Sequence, residues 1–106
     1  LTKMVQKIIN NDLSAAYASK LALVDFNATW CGPCQMLHPV LEEMSEELAG
    51  KVDIYSVDVD QNGRLAEEFS IMNIPAVAVL KDGVKVDMTV GFLPKTEMMK
   101  VVEKHL

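Results

Sequence analysis

Cysteine is scarce in this 106-residue chain, which has only two, three positions apart at Cys31 and Cys34. A disulfide between residues three apart cannot close a long loop. The sequence therefore predicts no disulfide framework of the kind that holds small secreted domains together. This predicts a reducing compartment, the cytoplasm. The first residues also lack the apolar core of a secretion signal, but the chain begins at Leu1, so a leader removed in processing stays compatible with the sequence.

Basic charge and long apolar runs are scarce as well. The formal net charge is −5, and the lysines are scattered along the chain rather than gathered in one stripe. Nucleic-acid binding requires a clustered basic face, so nucleic acid is excluded as the main partner. The longest apolar stretch, residues 74–80, is far shorter than the ~20 residues of a membrane span, so no membrane association is expected.

Recognisable metal and cofactor motifs are also lacking. No glycine loop is present to cradle the phosphates of a nicotinamide or flavin. The two histidines, His38 and His105, do not complete a zinc-finger spacing with the cysteines, and two cysteines are too few for a four-thiolate iron–sulfur cluster. Covalent haem attachment requires a histidine where Gln35 stands. The sequence therefore predicts neither a metal nor a cofactor.

What the chain does contain is enough apolar sequence, half of its residues, for one domain over residues 1–106. The apolar periodicity predicts an α/β fold in the order β-α-β-α-β-α-β-β-α. Strands separated by helices are expected to pair in parallel, and a closing hairpin around Asp82-Gly83 to be antiparallel. The result is a mixed five-stranded sheet flanked by four helices. The predicted strands are 4–9, 21–27, 52–59, 76–80 and 85–90, and the predicted helices are 13–17 (capped by Asn11-Asp12), 33–48 (with Pro39 inside), 62–69 and one opening at Pro94.

The cysteine pair lies where a buried strand gives way to a helix, which favours redox chemistry over two inert structural thiols. Free backbone N–H groups and the helix dipole stabilise negative charge at a helix N-terminus. The sulfur of Cys31 can accept a hydrogen bond from the amide of Cys34, which lowers the pKa of the Cys31 thiol and makes it the nucleophile. Cys34 lies one turn further along the helix and is expected to be more buried. Once Cys31 has formed a mixed disulfide with another molecule, Cys34 is expected to resolve it by attacking the Cys31 sulfur.

Asp25 is the candidate base for Cys34. It lies on a strand that is apolar on both faces, so its carboxyl group has no obvious outward side. Burial raises the pKa of a carboxyl group, which suits a general base near neutral pH. A structural aspartate held by nearby amides is the alternative, and the sequence leaves it open.

Several separated segments together resemble the thioredoxin family over essentially the whole chain. They are Val24-Asp25-Phe26-Asn27-Ala28-Thr29-Trp30-Cys31-Gly32-Pro33-Cys34, Pro39, Asp58-Val59-Asp60-Gln61-Asn62, Asn73-Ile74-Pro75, Lys81-Asp82-Gly83 and Val90-Gly91. The resemblance implies a monomeric thioredoxin fold that reduces protein disulfides, maintains cell redox homeostasis and is recharged by a thioredoxin reductase. It implies that Pro75 is cis and packs opposite the dithiol. It also implies a substrate-binding surface of Trp30, Gly32, Pro33, Ile74, Pro75 and Gly91, in which Ile74 offers backbone hydrogen bonds.

The sequence departs from the family pattern near the proposed site. Asn27 and Thr29 replace a tryptophan and an acidic residue, and the other departures are Gln35, Ser56 (close to Asp25), Ala76 and Phe92. An oxidase or isomerase of the same fold, and a binding subunit independent of redox chemistry, stay as alternative functions. Trp30 is expected at the rim and His38 on the surface. The seven methionines, Met36, Met44 and Met98 among them, are expected to pack in the core.

Overall fold

The computed structural model of the protein describes residues 4–106. Its elements follow the predicted order, and five strands form one mixed sheet with four helices against it. The elements are β1 (Gln6–Lys7), α1 (Ser14–Ala18), β2 (Leu21–Asn27), α2 (Gly32–Glu47), β3 (Asp53–Asp58), α3 (Gly63–Glu68), β4 (Ala76–Lys81), β5 (Val84–Val90) and α4 (Lys95–Glu103). Within residues 4–106, no helix combines the length and the hydropathy needed to cross a membrane.

β2 lies at the centre of the sheet, in the strand order β1-β3-β2-β4-β5. It pairs in parallel with β3, where Asp25 stands opposite Ser56, and antiparallel with β4, where Asp25 stands opposite Val77. Its first six residues are buried because the strand has a neighbour on each side and helices on both faces. The continuous apolar run in the sequence is the signature of such a strand.

β4 is where the predicted pairing is wrong. It follows a helix, yet it runs antiparallel to β2 rather than parallel to it. The segment between β3 and β4, which contains α3, begins and ends at the same end of the sheet, because Asp58 stands opposite Asn27 and Ala76 opposite Phe26. β4 therefore enters at Ala76 and runs back along β2.

The two faces of the sheet have separate cores. Ala22, Val24 and Phe26 pack with Ala16 of α1 and Leu65 of α3. Alternate residues of β2 point to opposite faces, so Leu21, Leu23 and Asp25 face the other layer. That layer is made by α2 and α4, through the buried side chains Leu37, Leu41, Met44, Met98 and Val102. Asp25 is therefore a carboxyl group in an otherwise apolar layer.

The β1–α1 connection differs from the prediction in its details. β1 has two strand residues rather than the predicted six, because only Gln6 and Lys7 pair with β3. Asp12 does serve α1, since its carboxylate accepts from the backbone N–H of Ser14 at 3.0 Å. Asn11 instead accepts from the N–H of Leu65 in the first turn of α3, at 3.1 Å. One of the two predicted caps thus serves a helix far along the chain.

α2 carries Pro39 inside it, as the sequence predicts. Its buried stripe runs through Leu37, Leu41 and Met44. Met36 lies one residue off that stripe and is 59% exposed, and Met4 and Met72 are exposed as well, so the expectation of a core role is wrong for these three methionines. Met44 and Met98 are fully buried, as expected.

The predicted hairpin at Asp82-Gly83 is confirmed, between Lys81 and Val84. Both turn residues have positive φ, 50° and 80°, as a two-residue type I′ turn requires. A side chain at Gly83 would also meet the carbonyl oxygen of Tyr17 at 2.9 Å. The turn therefore needs glycine there for both its conformation and its space.

Candidate active site

Cys31 and Cys34 form a disulfide at the start of α2, with their Cα atoms 5.2 Å apart. Cys31 is the N-cap residue, with extended backbone (φ −96°, ψ 110°), and Pro33 lies in the first turn of the helix. Proline fits there because the first N–H groups of a helix have no partner within the helix. The sequence prediction that Cys31 caps the helix is confirmed.

The sulfur of Cys31 meets two backbone groups. It accepts from the N–H of Cys34 at 3.3 Å, and it lies 3.9 Å from the carbonyl oxygen of Ile74. Cys31 is 7% exposed and Cys34 is 3% exposed, so Cys34 is the more buried of the two, as predicted. Cys31 is therefore the more accessible residue of the pair.

The loop before β4 packs against the Cys31–Cys34 disulfide. The Ile74–Pro75 peptide bond is cis, which confirms what the family resemblance implies. Ile74 contacts the small cluster of Ala28, Cys31 and Cys34. The carbonyl oxygen of Pro75 accepts from the N–H of Gly91 at 2.7 Å, and Gly91 takes a φ of 90°, which favours glycine. The predicted contact residues Ile74, Pro75 and Gly91 therefore meet in one place.

Asp25 is 1% exposed, on the sheet face that α2 covers. Burial raises the pKa of its carboxyl group from 3.8 to about 7, and a hydrogen bond from Asn27 acts in the opposite direction. That bond runs from Asn27 Nδ2 to Asp25 Oδ2 over 3.0 Å, whereas Oδ1 has no partner among residues 4–106. The carboxyl group is thus held by a nearby side-chain amide through one oxygen, and its other oxygen is buried and unpaired within that range.

Asn27 and Ser56 complete this polar group, and sequence reasoning did not foresee their contact. Asn27 Nδ2 also donates to Ser56 Oγ at 2.8 Å and to the carbonyl oxygen of Asp25 at 3.1 Å. A signal was present for Asn27, because residues two apart on a strand share a face. The family resemblance placed Ser56 near Asp25, but its hydrogen bond with Asn27 depends on the β2–β3 register, which the sequence did not reveal.

Trp30 lies at the rim of the site and is 70% exposed, as expected. Its indole Nε1 donates to Asp60 Oδ2 at 2.8 Å, a partner that the sequence did not reveal. Gly32 and Pro33 beside it are exposed as well. A shallow groove of about 280 Å³ adjoins the ring and is lined by Trp30, Val59, Ala66, Ile71, Met72 and Ile74. Exposed apolar surface at the rim of a reactive centre is suited to contact with another protein.

The histidines stay outside this site. His38 is half exposed and its Nε2 lies 3.4 Å from Glu42 on the same helix, which confirms its surface position. His105 meets Asp87 of β5 at 3.0 Å. Among residues 4–106, no three histidine, cysteine or acidic side chains are grouped so as to hold a metal ion.

Comparison with known proteins agrees with this geometry. The family profile described as Thioredoxin matches residues 2–104. Thioredoxins of Staphylococcus epidermidis and Staphylococcus aureus are each 46% identical to the chain over 102 residues, which cover 96% of this chain and 98% of theirs.

Solved structures are similar over the same extent. A mutant thioredoxin from Halobacterium salinarum has a TM-score of 0.89 at 28% identity and covers 98% of this chain and 92% of its own. The thioredoxin of Malassezia sympodialis has a TM-score of 0.86 at 37% identity, and the match covers 97% of this chain and 91% of that one. The chain therefore belongs to the thioredoxin family, and its redox-active Cys31–Cys34 pair makes it a thiol–disulfide oxidoreductase.

Proposed function

We propose that this protein reduces disulfide bonds in other proteins by dithiol–disulfide exchange. The observation that carries the proposal is the hydrogen bond from the Cys34 amide to the Cys31 sulfur at a helix N-terminus, over 3.3 Å. This arrangement favours a thiolate on the outer cysteine once the pair is reduced. Membership of the thioredoxin family supports the same direction of reaction.

The exchange has two steps that balance in electrons. The Cys31 thiolate attacks one sulfur of a substrate disulfide, forms a mixed disulfide and releases the other substrate sulfur as a thiolate. Cys34 then attacks the Cys31 sulfur, and the second substrate sulfur leaves. Two electrons pass from the dithiol to the substrate, and Cys31–Cys34 is left oxidised.

Asp25 acts as the general base for Cys34 in the second step. Its carboxyl group titrates near neutral pH because it is buried, and Oδ1 has no protein partner. A base with a pKa of about 7 is half ionised under ordinary conditions and accepts a proton at little free-energy cost. Its position on the sheet face covered by α2 supports this role, since Cys34 lies in the first turn of that helix.

Substrates bind across the exposed rim. Trp30, Gly32 and Pro33 form one side of the surface, and the partly buried Ile74 forms the other, while Pro75 itself is buried. The backbone of Ile74 is suited to pair with an extended substrate segment, in the manner of strand addition. Gly91 completes the surface, and its φ of 90° keeps that position free of a side chain.

The oxidised pair requires an external donor, and we assign this role to a thioredoxin reductase. The protein then works as a cytoplasmic monomer of one domain, residues 1–106, that maintains cell redox homeostasis. The absence of a phosphate-binding glycine loop from the sequence supports an electron source outside the chain.

Trapping tests the proposal. Cys34→Ser is expected to accumulate mixed disulfides of target proteins on Cys31, detected by mass spectrometry and released by a thiol reductant. The double variant Cys31→Ser/Cys34→Ser is the matched control and should trap nothing. Absence of adducts in the single variant would reject the mechanism, and equal binding of partners by both variants would favour a binding subunit.

Equilibration with a glutathione buffer tests the direction of the reaction. A reductase is expected to keep its disulfide oxidised except under strongly reducing ratios, because its dithiol is the better electron donor. A disulfide reduced readily at mildly reducing ratios would identify an oxidase or isomerase instead.

A further inference from the structure

Asn27 forms a polar network with Asp25 and Ser56 on the sheet face beneath α2. Its Nδ2 lies 3.0 Å from Asp25 Oδ2, 3.1 Å from the carbonyl oxygen of Asp25 and 2.8 Å from Ser56 Oγ. The two hydrogens of that nitrogen therefore serve three acceptors. The network is built by the sheet itself, because Ser56 stands opposite Asp25 in the β2–β3 register and Asn27 is two residues further along β2.

The orientation of the Asn27 amide follows from its partners. A backbone carbonyl oxygen can only accept, so the atom facing the carbonyl of Asp25 must be the NH₂ group. The same nitrogen then faces Asp25 Oδ2, which accepts from it whether or not the carboxyl group is ionised. The other carboxyl oxygen, Oδ1, is buried and has no partner in the part of the chain that the structure describes.

We propose that Asn27 is a positioning residue: its amide holds one oxygen of Asp25, leaves the other free to exchange a proton with Cys34, and favours the ionised carboxylate. This inference rests on the proposed function, in which Asp25 is the base. Its consequence is that Asn27 sets the pH range over which the second step of disulfide exchange is fast.

Few groups near Asp25 influence whether its carboxyl group is ionised. Burial favours the neutral acid, and a hydrogen bond donated to the carboxylate favours the charged form. β4 places the apolar Val77 opposite Asp25, and α4 turns Met98 and Val102 towards this layer. The titratable groups on this face are Asp58, opposite Asn27 on β3, Lys7, opposite Ser56 on β1, and the cysteine pair of α2. Lys7 is exposed and lies one strand beyond Ser56, so among the described residues the Asn27 amide, which donates to Asp25 directly, is the group that offsets burial.

A titration of Asp25 tests the contact without any thiol chemistry. The carboxyl carbon of Asp25 is followed by NMR against pH in the oxidised protein, in wild type and in Asn27→Leu, which has similar volume and no N–H. Removal of the Asn27 N–H donor is expected to raise the midpoint of the Asp25 titration by about one pH unit. Asn27→Ala serves as a second variant should leucine fail to pack. An unchanged or lower midpoint in both variants would overturn the inference.

Gln35→Met is the matched control. Gln35 lies in the first turns of α2, and its side-chain amide donates to the carbonyl oxygen of Thr29 at 2.5 Å rather than to Asp25. Removing that amide is expected to leave the Asp25 midpoint unchanged. A shift as large as that of Asn27→Leu would show that any loss of an amide near the site moves the midpoint, and would overturn the specific role of Asn27.

The pH profile of the second step tests the catalytic consequence. With a wild-type midpoint of about 7 and a rise of about one unit, the ionised fraction at pH 7 falls about fivefold, and the rate in Asn27→Leu should fall equally. The rates should converge by about pH 9. An equal reduction at all pH values would indicate a merely structural role. If Asp25→Asn keeps the wild-type profile, the base assignment fails instead, and the NMR result for Asn27 is unaffected.

Discussion

The backbone N–H of Cys34 points at the sulfur of Cys31 across 3.3 Å, and Cys31 is also the N-cap of α2. The sulfur thus takes the place of the side-chain oxygen that caps most helices. A negative charge on it gains both the hydrogen bond and the favourable end of the helix dipole. The reactivity of the reduced protein is expected to follow from this relationship.

Cys31 is expected to be alkylated at lower pH than an ordinary thiol. In the reduced protein, its rate with iodoacetamide should reach half-maximum below the ~8.5 of a free cysteine, because the thiolate is stabilised. Peptide mass mapping separates the modification of Cys31 from that of the more buried Cys34. Cys34→Ser serves as the control with a single thiol. A midpoint for Cys31 at or above that of free cysteine would contradict the expectation.

Asp25 should make the stability of the protein depend on pH. Its pKa is about 7 when folded against 3.8 as the ordinary value, so the folded state binds more protons between these limits and loses stability as pH rises through them. Asp25→Asn removes this dependence. The difference in the free energy of unfolding, Asp25→Asn minus wild type, should therefore rise by on the order of 4 kcal/mol from pH 4 to above pH 7. Urea unfolding of both proteins at several pH values measures the difference, and a constant difference would contradict the burial argument.

Trp30→Ala is expected to affect substrate binding much more than stability. The side chain is 70% exposed, so the free energy of unfolding should change by less than about 1 kcal/mol. The KM for a protein disulfide should rise several-fold, while the rate with a small disulfide stays close to wild type. Val84→Ala is the matched control, since Val84 is 62% exposed at the far hairpin. Equal effects of the two variants on KM would argue against a binding role for Trp30.

Asn62 joins the loop after β1 to the end of β3, and its loss should destabilise the fold. It is fully buried, accepts from the N–H of Asn11 at 2.8 Å and donates to the carbonyl oxygens of Asp58 and Ile8 at 3.1 and 3.4 Å. Asn62→Leu removes the partner of the Asn11 N–H and of the Ile8 carbonyl oxygen, whereas the Asp58 carbonyl keeps the N–H groups of residues 61 and 62, and it should lower the free energy of unfolding by about 2–3 kcal/mol. The neighbouring Gln61→Leu, at an exposed position, should change it by less than ~0.5 kcal/mol. A neutral Asn62→Leu in denaturant unfolding would contradict this account.

Local sequence patterns determined most of the elements and the place of the dithiol. The apolar run of residues 21–27 requires a strand buried on both faces, and Asp82-Gly83 requires a tight hairpin, since each depends on short-range backbone preferences. Cys31 before Gly32 and Pro33 requires a sulfur at a helix N-terminus for the same reason. The cis bond before Pro75 and the binding surface came from family resemblance, not from residue physics.

The tertiary structure decided the features that depend on contacts between distant segments of the chain. β4 lies antiparallel to β2 because the segment after β3 returns to the sheet at the end where β3 finished, which depends on how that segment packs rather than on strand propensity. Asn11 caps α3 instead of α1, and Asn27 reaches both Asp25 and Ser56. Sequence alone determined that a carboxyl group would be buried in β2. Only the packing of strand against strand decided which donor it meets, because a hydrogen bond between distant residues is set by register and not by local pattern.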